Sequence, residues 1–191
     1  MLIIYFLILL SVLSLVLMPY ERVALGRIFA VRKIKKLCRE RDINFKIINR
    51  AYPITRNKKS EFDFIFRIDK TVVPVKFFSA TDKNSTVLLD RSGKTCTARQ
   101  YKKSLSRDGS IPLKTVKKYG RLPNMRINRK IVGERNTCFP VFLNEPKFSR
   151  VLFRNERGEI SDFYDGNHRV AGCSFMDKDL LLDLISVYDD K

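Results

Sequence analysis

A chain of 191 residues, 45% of them hydrophobic, can bury one sizeable core beyond any terminal segment, so neither a disordered tail nor a miniprotein is expected. Its charge is one-sided, 38 Lys and Arg against 20 Asp and Glu for a formal +18, which points to an anionic partner, nucleic acid or anionic lipid. Cys38, Cys96, Cys138 and Cys173 stand far apart with no C-x-x-C pair, which argues against zinc and a disulfide framework and for reduced, mostly buried thiols.

The amino-terminal run "LIIYFLILLSVLSLVLM", residues 2–18, contains no charge. As a helix it spans roughly 25 Å, the short limit for a bilayer crossing. The sequence predicts an uncleaved transmembrane anchor over residues 1–20 and a basic domain over 21–191. A cleaved signal peptide would need basic residues ahead of the apolar run, and none is there. Arg22, Arg27, Arg32, Lys33, Lys35 and Lys36 follow the run closely, so the positive-inside rule puts a single-pass protein in the cell membrane, its amino terminus outside and its domain in the cytoplasm.

Residues 21–42 read as a helix, with Ala24, Ile28, Val31, Ile34 or Lys35, and Cys38 near one face and Arg and Lys on the other. Gly26 is a weak spot in it. From Tyr20 to Lys59 there are 13 basic and 3 acidic residues, net +10. A charged face of this kind is either an ordinary solvated surface or an attraction to an anionic leaflet. A strand is expected over 43–50.

Residues 61–69 alternate. Phe62, Phe64, Phe66 and Ile68 fall on one side; Glu61, Asp63, Ile65, Arg67 and Asp69 fall on the other. Residues 71–79, rich in Val and Phe, supply the partner strand. A turn at Asp69-Lys70 pairs positions summing to 139, which sets Phe64 against Val75, Ile65 against Pro74 and Asp63 against Lys76. A further strand is expected near Ser85–Asp90.

This succession of helix, strand, hairpin and strand resembles the PD-(D/E)XK nuclease-like fold, and is nearest the nuclease-related (NERD) type. The resemblance covers roughly residues 22–90. It implies a restriction-endonuclease-like α+β core with a mixed sheet, in which Asp63 takes the place of the first acid and Lys76 that of the lysine. The middle acid of the pattern falls on Pro74, in "PVK". Two carboxylates are needed to hold Mg²⁺ and polarise a water and a phosphate, and proline cannot ligate through its side chain. Its missing donor suggests an edge or a bulge at 74. Glu61, on the Asp63 side, and Glu40 are spare acids. The expectation is therefore a degenerate site with no cofactor; Mg²⁺ or Mn²⁺ enters only if Asp63, Lys76 and Glu61 form a working nuclease.

"DRSGKT", residues 90–95, lacks the first glycine of a phosphate loop and reads as a hairpin turn. Residues 91–135 hold 14 basic and 2 acidic residues, net +12, with only Tyr101 and Tyr119 as aromatics. That favours diffuse phosphate or lipid attraction over base stacking. The candidate anion-binding residues are Arg32, Lys33, Lys35, Lys36, Lys102, Lys103, Lys117 and Lys118. Residues 151–191 reverse the sign, with 5 basic against 9 acidic. Strands broken by turns at 155–158 and 165–166 are expected there. Asp162, Asp165 and His168 could mark a metal site but read more simply as a polar turn. A closing helix follows, capped by Asp177 or Asp179, with Leu180, Leu181, Leu184 and Ile185 inward.

The function expected from sequence is non-catalytic binding or scaffolding at a membrane: residues 2–18 in the bilayer, the basic surface on anionic headgroups or nucleic acid, and no protein partner indicated. A nuclease and a small subunit of a membrane complex are the alternatives.

Overall fold

The structure, a computed structural model, describes residues 2–48, 62–80, 85–90, 92–100, 113–122, 137–162 and 169–187, with the backbone alone at 2, 15, 16, 19, 94–100 and 113–121. Helix α1 is continuous from Leu2 to Glu40 and does not break at residue 20. Its second half packs on the domain through Ala30, Val31, Ile34 and Cys38, all buried. Spacings of three and four residues put these side chains on one face. The helix stops where Asp42 turns left-handed (φ 53°). There the amide of Ile43 donates to the carbonyl of Cys38 at 2.7 Å and that of Asp42 to Arg39 at 3.3 Å, a Schellman closure without glycine.

The expected transmembrane anchor is not upheld. Among the described residues no helix is long and apolar enough to cross a membrane. The charge-free run of 2–18 is shorter than the roughly 30 Å hydrocarbon layer. The same helix then carries on into Glu21, Arg22 and Arg27. The single-pass assignment falls with it, as does the placement in the cell membrane with the amino terminus outside and the domain in the cytoplasm. What the structure shows at this end is a helix whose described large apolar side chains, Ile3 to Leu13, are exposed.

Two sheets follow. The first is mixed and runs β1 (Asn44–Ile47), β2 (Phe64–Ile68), β3 (Thr71–Phe78), β8 (Val141–Asn144), β12 (Cys173–Met176), β11 (Arg169–Val170). The two-residue β7 (Thr137–Cys138) also pairs with β3. Strand β2 is antiparallel to both of its neighbours, β1 and β3, whereas β3, β8 and β12 are parallel neighbours. The second sheet runs β10 (Ile160–Asp162), β9 (Arg150–Arg154), β4 (Ser85–Asp90), β5 (Lys94–Gln100), β6 (Leu113–Arg121). The strand expected at 85–90 thus exists with those bounds but joins the second sheet, because β3 already has a neighbour on each side.

Helix α2 (Lys178–Val187) begins at Asp177, whose carboxylate accepts the amide of Leu180 at 2.9 Å, the N-cap read from sequence. Leu181 and Ile185 are fully buried, and Leu180 and Leu184 pack beside them. The first core lies between the two helices and the mixed sheet: Ile34, Phe64, Phe66, Val73, Val75, Leu143, Leu181 and Ile185 all belong to it. The second lies between the sheets, where Phe142 and Phe175 meet Val87 and Leu89. With cores on both faces, β3 is buried almost throughout, as a central strand should be.

Candidate functional site

The hairpin has the register read from its alternation: Phe64 opposes Val75, Ile65 opposes Pro74 and Phe66 opposes Val73. Asp69 takes a left-handed φ of 49° and makes the tight turn possible. The ladder changes at the upper end. The amide of Asp63 donates to the carbonyl of Val75 at 2.8 Å, so Asp63 and Phe64 both lie against Val75, as in a β-bulge. The carboxylate of Asp63 then accepts the backbone amide of Phe77 at 2.8 Å. It stands in for the strand carbonyl that the bulge has displaced. Asp63 is therefore not squarely across from Lys76; it lies against the residues on either side of it. Both are nearly fully buried, at 6% and 7% exposure, so the structure does bring the two sequence candidates to one place.

Pro74 is neither at a sheet edge nor in a bulge, which corrects the expectation. The amide of Phe139 donates to the carbonyl of Val72 at 2.9 Å, so the even positions of β3 turn their backbone groups toward β7 and β8. The pairings Val72–Cys138 and Val75–Val141 place Pro74 beside Pro140, in the gap between β7 and β8. Pro74 and Pro140 thus fall side by side where the pairing of β3 passes from β7 to β8. Glu61 lies outside the described residues. Glu40 lies at the far end of α1, 53% exposed at its side chain and 3.7 Å from Lys36 in an ion pair.

The basic candidates divide. Arg32, Lys33, Lys35 and Lys36 are exposed along α1, opposite its buried stripe. Lys117 and Lys118 belong to β6, and Lys102 and Lys103 lie outside the described residues. Arg27, counted among the flanking charges, is instead buried at 7% exposure. Its Nε donates to Ser79 Oγ at 2.8 Å, and its guanidinium lies over the Phe77 ring, 5.1 Å from the centroid. The hydroxyl of Ser79 in turn donates to the carbonyl of Glu145. The signal for Arg27 was its spacing: 27, 30, 31, 34 and 38 form one helical stripe.

Gly26 is no defect either. A Cβ there would lie 2.6 Å from Cγ of Pro146 and 3.1 Å from its Cδ, so the helix approaches the β8–β9 loop more closely than any side chain allows. Burial raises the carboxyl pKa of Glu145 in that loop, partly offset by Lys178 and Lys147.

The "DRSGKT" stretch is the β4–β5 turn, with Gly93 at φ 78° and Ser92 Oγ on the Asp90 carboxylate at 2.6 Å. Asp165 and His168 lie outside the described residues. Asp162 is held by Arg150 through two hydrogen bonds, 2.7 and 3.0 Å. Among the described residues no group of three or more His, Cys, Asp or Glu is placed to hold a metal ion. Cys38, Cys138 and Cys173 are free thiols, and burial pushes those of Cys38 and Cys173 up to about 11.

Compared with known proteins, the chain matches no family model, no curated protein sequence and no solved structure.

Proposed function

We propose that this protein is a non-catalytic binding protein whose basic face engages the phosphate backbone of nucleic acid. The observation that carries the reading is the outward row on α1. Arg32, Lys33, Lys35 and Lys36 are exposed on a helix whose other face is locked into the core through Val31, Ile34 and Cys38. Four cations are thereby held on a rigid support within a chain of formal charge +18. Phosphate attraction of this kind gives affinity without base reading. The hairpin supports the absence of chemistry: Asp63 is occupied in closing the strand pair, and the middle acid position is a proline.

The test is binding of the full chain to labelled double-stranded DNA and RNA over a salt series, followed by fluorescence anisotropy. The affinity should fall steeply with salt and differ little between sequences. Arg32→Glu with Lys35→Glu should weaken it and lower the slope of log K against log salt by about 2. Binding to anionic vesicles with no comparable nucleic-acid affinity would replace this reading with a lipid one.

A second reading rests on the burial of Asp63 and Lys76 at one place: a metal-dependent nuclease using these two residues, Mg²⁺ or Mn²⁺, and Glu61 as the displaced acid. It requires divalent-dependent cleavage that disappears in Asp63→Asn, a variant that retains an acceptor for the Phe77 amide.

A further inference from the structure

Helices α1 and α2 leave a groove of about 390 Å³ between them on the outer surface, lined chiefly by Lys33, Lys36, Leu37, Leu182, Asp179 and Asp183. Its two walls differ in sign. The α1 wall carries Lys33 and Lys36, the latter paired with Glu40 on the same wall, the α2 wall carries Asp179 and Asp183, and Leu37 and Leu182 lie between them. Among the described residues no ion pair spans the groove: Lys36 pairs along its own helix with Glu40, and Asp179 pairs with Lys147 and Lys178. Lys33 and Asp183 are exposed.

A surface of this kind is complementary to itself. A two-fold axis running along the groove exchanges the walls, so each copy's basic wall meets the other's acidic wall and the leucines meet at the centre. The same sector of α1 continues apolar toward the amino terminus. Leu25 and Phe29 precede Lys33 at intervals of four residues and are 52% and 63% exposed, large for apolar side chains on the docked part of a helix. We infer that the α1–α2 groove is the interface of a two-fold homodimer of this chain, with Lys33 of each copy set against Asp183 of the other.

Arg32 and Lys35 lie about a third of a helical turn away from the groove. They stay outward in the dimer, which then displays two basic rows. The inference goes beyond the binding function proposed above and takes Lys33 and Lys36 out of its row, leaving Arg32 and Lys35 of each copy to face phosphate; the association test below reads the dimer without reference to nucleic acid.

The test is sedimentation velocity of the full chain over a concentration series, in a mild non-ionic detergent that covers the exposed apolar side chains from Ile3 to Leu13. Lys33→Glu and Asp183→Lys are each placed on exposed positions, and circular dichroism checks that they fold. Each sets like charges against each other twice per dimer and should weaken association about tenfold or more. The chain carrying both substitutions should recover the wild-type constant to within about threefold, because the walls have only exchanged sign. Mixing the two single variants supplies an independent measurement: they should form a mixed pair more readily than either pairs with itself. A wild-type chain that stays monomeric overturns the inference. So does association that neither single variant weakens, or a mixed pair no stronger than the self-pairs.

Discussion

The contact between Gly26 and Pro146 can be tested by the sign of one substitution. In an open helix Gly26→Ala should stabilise, since alanine is about 1 kcal/mol better than glycine in a helix interior. Here the new methyl would sit 2.6 Å from Cγ of Pro146 and 3.1 Å from Cδ. Both atoms belong to a ring, so no flexible chain end can swing aside. Relief requires moving the loop or the helix, and overpacking of this size costs about 1–3 kcal/mol. The helix gain offsets part of that, leaving a net loss of about 1 kcal/mol, between zero and 2. For a domain of this size that lowers the melting temperature by about 2–4 °C. Gly26→Val adds two further methyl groups and a β-branch and should lose about 3 kcal/mol or more. Thermal unfolding followed by circular dichroism at 222 nm measures both. A melting temperature that rises in Gly26→Ala would show that the helix and the loop are not in close contact, and would refute the reasoning.

Asp63→Ala leaves the buried amide of Phe77 without its acceptor and should cost about 1–3 kcal/mol, whereas Asp63→Asn retains an oxygen at that point and should cost less; urea unfolding of both variants compares them. Burial works against the charge of Asp177, but the Leu180 amide and the Lys147 ammonium outweigh it and hold the pKa below its usual value. Its contribution is therefore present above about pH 4 and lost as pH falls through the folded value, so Asp177→Ala should cost about 1 kcal/mol at pH 7 and progressively less in acid. Glu145 has the opposite sign: burial raises its pKa, so its contribution is full below the ordinary carboxylate range and lost as pH rises through the folded value. Glu145→Gln should match or exceed the wild-type melting temperature at pH 7 and lose that advantage on acidification. Burial holds the thiols of Cys38 and Cys173 up at about 11, so peptide mapping should find both unlabelled by maleimide at neutral pH in the folded protein and labelled in denaturant.

Local pattern carried much of the fold. Alternation gave the hairpin register from Phe64–Val75 to Ile68–Thr71, because a one-residue slip would have put Phe64 and Phe66 on the wrong face, but it did not foresee the departure at Asp63. The Asp177 cap and the inward leucines of α2 followed from helical spacing in the same way. What pattern could not supply was partner choice between distant segments. Nothing local to Ser85–Asp90 says that it pairs with residues 150–154 and not with the hairpin. The site shows the same division. Asp63 and Lys76 were found from the alternation of their strands, but the bulge that turns the Asp63 carboxylate onto the Phe77 amide depends on the join between Asp63 and Val75. Arg27 was read as a surface charge because composition outweighed its position in the stripe.

These misreadings meet at one loop. Residues 144–149 leave the mixed sheet at Asn144, whose side chain accepts the amide of Phe148 at 3.1 Å, and reach the second sheet where the amide of Ser149 donates to Ser85 at 2.9 Å. Between these points Pro146 accepts the amide of Ala80 and packs on Gly26, while the carbonyl of Glu145 accepts Ser79, the partner of Arg27. The loop thus binds α1, the end of β3 and the second sheet together. Glycine at 26 permits the approach, and a buried arginine at 27 anchors it. Two residues that look unfavourable within a helix, one by flexibility and one by charge, are required once the β8–β9 loop lies against them. Helix propensity is decided within one segment, whereas the joint spans 120 residues of chain between Gly26 and Pro146, and that separation hides both roles from a local reading.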